Sequence, residues 1–242
     1  MKAIFLLNGK GQRFKEAGYQ MPKPLLLIGK KRVLQYALET VELLKPSYEY
    51  LISQELERHP IGLFDWIPKG CWHFPPETPG PIQTALTVER CLQTEEDVLL
   101  CDGDSFMHPE ELLRAVTLFR TVGATGGLTV RQSTDPSCAY AEFDPMWWVS
   151  TTRDQDPFTP WSATGPYWFA SGHAALKALI KAHRHGLHQI ASIYNYLDGR
   201  TKATAVGTFQ HLGTPDAYEQ YRNSLTVLHD HEATAHDRRP DV

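Results

Sequence analysis

The sequence predicts an α/β protein built on an open, largely parallel sheet. Three observations carry that reading. Residues 3–7 form an apolar run that closes on Asn8-Gly9-Lys10-Gly11, as a buried strand entering a glycine-rich loop does. Val33, Leu34, Ala37, Leu38, Val41 and Leu44 recur at helical spacing, and the apolar stretch 48–52 follows as the next strand. The same order then returns further along the chain, and strands alternating with helices favour a parallel sheet with crossover helices.

The second round reads as a helix over 84–92, a strand over 97–101, a helix over 109–119 and a strand over 126–130. The chain then changes character. Residues 138–170 are rich in aromatics and broken by prolines, and short strands are predicted at 139–143, 147–150 and 165–169. Helical pattern resumes at 174–183 and 189–197, and a last short helix covers 215–223. Beyond about His229 the residues are polar and charged, which predicts a mobile tail. With no internal repeat and no linker, the expectation is one domain over residues 1–228 followed by a tail over 229–242.

Composition narrows the function. A chain of 242 residues fits one domain with a substantial core. Its net charge of −4 and pI near 6.2 argue against a general nucleic-acid binder, whose footprint is basic. No apolar run approaches the roughly 18 residues that span a bilayer, so no membrane partner is expected. Only Lys2 separates Met1 from the first strand, so neither a signal peptide nor export is expected and a cytoplasmic location is read. Cys71, Cys91, Cys101 and Cys138 share no CxxC spacing, which predicts neither a zinc site nor a disulfide framework. His183, His185 and His188 read as a solvated helix end.

The chemistry concentrates behind the first strand, in Leu7-Asn8-Gly9-Lys10-Gly11-Gln12-Arg13-Phe14 and in Met21-Pro22-Lys23-Pro24-Leu25-Leu26. A strand feeding a glycine-rich turn leaves backbone N–H groups that phosphate oxygens can approach closely. Two cations about one loop later can neutralise the charge of such a ligand. The outline is a site for a polyphosphate and a second anion; solvated cations on an ordinary βα turn are the alternative. Phe14 stands where a dinucleotide fingerprint needs its third glycine, and no Gly-Lys-Ser/Thr closes a P-loop. Asp102 and Asp104 end an apolar strand, where an open α/β sheet places its ligand crevice. Their hard oxygens suit Mg²⁺, an Asx turn ahead of the helix at Pro109 being the alternative.

The whole block resembles the signature of the nucleotidyltransferases that activate sugar phosphates and related phosphoesters, A-G-x-G-x-R-(L/F) followed by P-K-P-L. Five further segments resemble that family's pattern in order: Gly80-Pro81-Ile82-Gln83-Thr84-Ala85-Leu86, Leu99-Leu100-Cys101-Asp102-Gly103-Asp104, Tyr140-Ala141-Glu142-Phe143-Asp144, Gly165-Pro166-Tyr167-Trp168-Phe169 and Leu212-Gly213-Thr214-Pro215-Asp216. The run Ala17-Gly18-Tyr19 is similar to a small bacterial branch found in capsule and surface-glycan contexts.

The resemblance implies a Rossmann-like, GT-A-type three-layer sandwich with a mostly parallel mixed sheet. It implies a reaction in which an NTP and a phosphate monoester give an NDP-linked product and pyrophosphate. Leu7, Asn8, Gly9, Lys10 and Gly11 would then hold the nucleotide, with Gly80, Thr84 and the weaker Gln83 toward base and ribose. Arg13 would bind the leaving pyrophosphate and Lys23 the acceptor phosphate. Asp104, with Asp102 as partner, would hold Mg²⁺. Ala141, Glu142, Gly165, Tyr167 and His211 would line the acceptor side.

Two positions depart from the family. Gln155 stands where it usually has a lysine for the acceptor phosphate, with Arg153 as the substitute, and His211 stands where many relatives have a second acidic metal ligand. The acceptor is read as a sugar phosphate, with phosphocholine or glycerol phosphate as the second class, because Trp147, Trp148, Trp161 and Trp168 cluster as an aromatic cage for a quaternary ammonium would. Two other readings stay open: a glycosyltransferase using Asp102-Gly103-Asp104 as its D-x-D, and a non-catalytic ligand sensor. Base, acceptor and oligomeric state, a homo-oligomer included, are not fixed by the sequence.

Overall fold

The computed structural model describes residues 1–59 and 66–236. Strand β1 (Lys2–Leu7) leads into α1 (Gln12–Glu16), a 3-10 turn (Lys23–Leu25) and a small hairpin of β2 (Leu27–Ile28) and β3 (Lys31–Arg32). Then come α2 (Val33–Val41), β4 (Ser47–Ile52), α3 (Gln54–Glu57), β5 (Gly70–His73), α4 (Pro81–Leu86), α5 (Glu89–Leu92) and β6 (Val98–Cys101). After β7 (Ser105–Phe106) and α6 (Pro109–Thr121) the chain enters β8 (Gly126–Gln132), β9 (Ala139–Phe143), β10 (Val149–Asp154) and β11 (Trp161–Phe169). It closes with α7 (Gly172–Arg184), a 3-10 helix (Ile190–Tyr196), β12 (Thr201–Ala205), β13 (Gln210–His211) and α8 (Pro215–His236).

Nine strands form one mixed sheet in the order β10-β9-β11-β6-β1-β4-β5, with β8 on β11 and β12 on β8. β5, β4, β1 and β6 are parallel neighbours; β11 and β10 run against the other seven strands. The central strands read as unbroken apolar runs because both faces are covered. Ala3, Phe5, Leu99 and Cys101 face α2 and α6 through Leu34, Leu38, Leu112 and Val116. Ile4, Val98 and Leu100 face α4, α5 and α7 through Ile82, Leu92 and Leu179. The result is the three-layer α/β/α architecture that the sequence predicts. A third cluster joins Phe14, Leu26, Ile28, Val33, Leu212 and Tyr218 and seats α1 and the hairpin against α8. No helix among the described residues is long and apolar enough to cross a membrane.

Several elements differ from expectation. The helix predicted over 84–92 starts earlier, with Pro81 in its first turn, and breaks at Val88 (φ −118°, ψ 37°) into α4 and α5. The strand expected at 147–150 begins at Val149, because Trp147 adopts φ +62° in a turn held by Asp144, which accepts from the Met146 and Trp148 N–H groups. The last helix continues through His236 into the stretch expected to be a tail. Residues 237–242 of that tail lie outside the described residues.

Gly127 of β8 lies directly under α6, where an added Cβ would come within 2.1 Å of the Phe119 ring. Gly127→Ala is therefore expected to destabilise the fold by about 1–3 kcal/mol, the usual range for overpacking a tight core. Urea denaturation reads this as a lower midpoint at unchanged slope. An unchanged midpoint would show that the ring can move aside.

Candidate active site

The carboxyl ends of β1 and β6 lie side by side, so their two loops converge. Behind β1, Gly11 takes φ +62° and starts α1, and buried Phe14 anchors that helix edge-on against Tyr19 and Tyr218, with ring centroids 5.3 and 5.9 Å away. Pro22 and Pro24 frame the 3-10 turn that presents Lys23, and Arg32 donates to the Leu25 carbonyl at 2.8 Å. Behind β6, Gly103 packs so tightly that a Cβ would come within 2.2 Å of Leu7. That contact holds the loop after β6, with Asp102 and Asp104 on either side of Gly103, against the end of β1.

Two cavities meet at these aspartates. The first, about 390 Å³, is lined by Leu7, Asn8, Gly9, Lys10, Gly11, Lys23, Gly80 and Thr84 among others. Leu7, Asn8, Gly9, Lys10, Gly11, Gly80 and Thr84, expected at the nucleotide, thus share one cavity, whereas Gln83 does not line it and Arg13, expected at the leaving pyrophosphate, lines the other. The second, about 240 Å³, is lined by Arg13, Gly165, Tyr167 and His211, with Gln155, Asp154 and Phe209. Asp102, Asp104, Pro81 and Gln189 belong to both.

At the junction the Lys23 ammonium is ion-paired with the Asp104 carboxylate. Burial works against charge on Asp104, but Lys23 and His211 outweigh it and hold its carboxyl below the usual range. Asp102 goes the other way. Its low-dielectric surroundings, then the Asp104 charge, push it up to about 7 against the pull of Lys23. Asp102 also lies against Gly165, where a Cβ would come within 2.6 Å of its Oδ2. Pairing of β7 with β13 sets His211 opposite Ser105, and the Leu212 N–H donates to the Asp104 carbonyl at 2.7 Å. Both the His211 ring and Asp104 Oδ2 crowd the Cα of Gly213, which leaves no room for a side chain there.

A polar network ties the rims of the first cavity together. Asn8 donates to the Pro76 carbonyl at 3.0 Å and to Thr78 Oγ1 at 3.4 Å, Thr78 and Thr84 share a 2.5 Å hydrogen bond, and Thr84 donates to the Gly80 carbonyl at 3.1 Å. Asn8 therefore links the first glycine loop to the second. Lys10 crosses the mouth to Glu77 at 2.5 Å. Gly80 sits under His188, 2.8 Å from where its Cβ would fall.

Some expectations need correction. Ala141 and Glu142 line neither cavity: Ala141 is buried in the core, and Glu142 is exposed on β9 beside Ser150. Ala139 and Ala163 line the second cavity instead. Arg153 does not replace the absent lysine, since it pairs with Asp156 at 3.1 Å and lies over the Phe158 ring. Gln83 faces away from the first cavity and binds the Leu187 carbonyl, His183 and His188; those two histidines are exposed, as expected of a solvated helix end. There is no aromatic cage at the cavities. Trp147 stacks on Phe143 and meets Trp161 edge-on, Trp148 lies under Arg200, and Trp168 is buried beside Phe119.

Sequence reasoning missed Thr78, Gln189 and Asp154. Asp154 accepts from Ser192 through one oxygen, while the other is buried without a partner among the described residues. Its burial raises its pKa, an effect that the Ser192 hydroxyl only partly offsets. Position 154 directly before Gln155 was the one available signal.

The carboxylate pair fits a divalent cation. Asp102 and Asp104 line both cavities together, and hard carboxylate oxygens are the ligands Mg²⁺ prefers.

No protein-family model matches the chain, and no curated protein matches it. Solved structures do. A nucleoside-diphosphate-sugar pyrophosphorylase from Vibrio cholerae superposes with a TM-score of 0.73 at 17% identity, over 91% of this chain and 99% of that one. A Bacillus anthracis protein assigned as a glucose-1-phosphate thymidylyltransferase, solved with a sucrose, gives 0.77 at 14% identity over 92% and 94%. A UDP-glucose pyrophosphorylase complexed with UDP-glucose gives 0.73 at 15% identity over 93% and 98%. At these identities the likeness establishes the fold: the chain has the Rossmann-like α/β architecture of these nucleotide-sugar enzymes.

Proposed function

We propose that this protein transfers a nucleotidyl group from an NTP to a small phosphate monoester, a sugar phosphate foremost, and releases pyrophosphate. The observation that carries the reading is the meeting of two cavities at Asp102, Asp104 and Lys23, one rimmed by the glycine loops and the other closed by Tyr167 and His211. The nucleotide-sugar enzymes that share the fold act on substrates of this class, which is consistent with the division into a nucleotide half and an acceptor half.

The acceptor phosphate is largely dianionic near neutral pH, its second pKa being near 6, so it needs no base to make it a nucleophile. The protein must bring two anions together and stabilise charge as the α-phosphorus is attacked. Gly9 and Gly11 offer backbone N–H groups to the triphosphate. Arg13, exposed and without a side-chain partner among the described residues, offers its planar fork to phosphate oxygens from the second cavity. Lys23 reaches the junction, where it can bind an acceptor phosphate on the side toward the nucleotide. Asp104 and Asp102 would hold Mg²⁺, which when bound offsets the charge of the phosphates. His211, a poor Mg²⁺ ligand, acts on the acceptor instead. The capsule or surface-glycan setting rests on the Ala17-Gly18-Tyr19 resemblance alone.

A pyrophosphate-release screen of four NTPs against sugar phosphates, phosphocholine and glycerol phosphate tests the reading. The expected result is Mg²⁺-dependent release with at least one NTP only when a phosphoester is present. Release of NDP from a sugar nucleotide, with none of pyrophosphate, would favour a glycosyltransferase.

A further inference from the structure

At the β5 edge of the sheet a second set of chemical groups converges, apart from both cavities. Glu49 of β4, His73 of β5 and Cys91 of α5 bring a carboxylate oxygen, a ring nitrogen and a sulfur within 4.8 Å of one another. The parallel register pairs Glu49 with Cys71 and Leu51 with His73, so Glu49 and His73 leave the sheet on the face that carries α5. His73 Nε2 lies 2.8 Å from Glu49 Oε2 and 3.6 Å from Cys91 Sγ. One ring nitrogen thus faces both the carboxylate and the sulfur, and the Cys91 thiol itself hydrogen-bonds to Glu49.

We infer that Glu49, His73 and Cys91 form a structural site for Zn²⁺ or a similar borderline-soft divalent ion. Zinc bonds of about 2.0–2.3 Å at tetrahedral angles put ligand atoms roughly 3.3–3.8 Å apart; the 3.6 Å between His73 and Cys91 lies in that range, the 2.8 Å hydrogen bond between His73 and Glu49 would lengthen on binding, and water would take the fourth position. The charges also suit the ion. Glu49 is only 7% exposed, and with the Cys91 thiolate it supplies two negative charges against the two of the metal. Lys2 engages the other carboxylate oxygen at 3.9 Å and the Cys91 carbonyl at 3.2 Å, which leaves Oε2 to the metal. Binding releases the thiol proton to solvent, together with any proton His73 carries on Nε2. Cysteine spacing gave no sign of this site because its ligands come from three separate elements.

The placement gives the site a role. His73 and Cys91 bracket the segment that carries Thr78, Pro79, Gly80, Pro81 and Thr84 along the rim of the first cavity. A metal joining them to Glu49 ties both ends of that segment to β4.

Co²⁺ titration of the purified, metal-free protein in a Cys71→Ser background tests the assignment, with exposed Cys71 removed as a competing thiol. The expected result is one equivalent of Co²⁺ giving a thiolate-to-cobalt charge-transfer band and tetrahedral visible bands, displaced by Zn²⁺. Adding Cys91→Ser or His73→Ala should abolish the thiolate band or the tetrahedral spectrum, while Asp104→Asn should leave both. Zn²⁺ should raise the melting temperature of the parent and not of the His73→Ala protein. A folded parent with no charge-transfer band would overturn the site, as would a band that survives Cys91→Ser. If Cys91→Ser fails to fold, the half-exposed His73→Ala variant decides alone.

Discussion

Asp104→Asn is expected to lower kcat by about 10²- to 10³-fold, the loss usual when one preorganised charge is removed from a transition state, with only a modest fall in melting temperature. Asp104 belongs to both cavities, and its carboxylate is the charge that Lys23 and His211 face. An amide keeps the shape and removes the charge that would hold the metal. It also relieves Asp102, whose raised pKa comes first from burial and then from Asp104. Relief of that repulsion offsets part of the lost pairing with Lys23, so the fall in stability should be smaller than for Lys23→Ala. Steady-state kinetics beside a thermal melt checks both halves. A variant that lost activity and melted much earlier would mark Asp104 as a structural residue.

Lys23→Ala is expected to weaken both function and fold. Its ammonium is the cation paired with buried Asp104, whose residue exposure is 8%. Removing one member of such a pair strands the other, which costs several kcal/mol deep in a core. Lys23 keeps a quarter of its side chain exposed, so about 1–3 kcal/mol is the reasonable size here. The pH dependence follows from the sign. The folded-state pKa of Asp104 is lowered, so its pairing stabilises the protein above the ordinary aspartate range and stops doing so as pH falls through the lowered value. The stability gap between wild type and Lys23→Ala should therefore be full at neutral pH and close in acid. Activity should fall mainly as a loss in kcat/KM for the acceptor, and Lys23→Arg should recover little because the wider fork does not fit a point-charge position. Denaturation at several pH values and acceptor kinetics measure these effects. A gap that widens in acid would contradict the pairing.

The parts of the fold visible in the sequence are those where packing imposes a period. Residues 3–7 and 98–101 are apolar without interruption because helices cover both faces, and α2 and α6 show one apolar stripe each. Elements with little apolar surface of their own were not visible. Thr201–Ala205 alternates polar and small residues yet forms β12 because β8 offers it a free edge. Gly70–His73 becomes β5 by pairing with β4 alone.

The site divides in the same way. Residues next to a strand end, such as Gly9, Gly11, Lys23, Asp102 and Asp104, could be found because glycines, prolines and acids mark the end of an apolar run. The acceptor half is assembled from long-range pairings: the resemblance placed Gly165, Tyr167 and His211 there, but Gln189 arrives through the turn after α7 and Asp154 from the end of β10, and neither was found. No local pattern signals such a juxtaposition. The tryptophans show the reverse error, since their clustering along the chain serves packing and surface stacking rather than a ligand.

The most direct test of the account is ³¹P NMR of the folded protein with Mg²⁺, an NTP and the acceptor selected by the release screen. The account predicts equal growth of pyrophosphate and of a coupled pair of phosphorus signals from the NDP-linked product, and none of it in Asp104→Asn. Formation of NDP or inorganic phosphate in place of pyrophosphate, or an unchanged spectrum with every NTP and phosphoester tried, would contradict it.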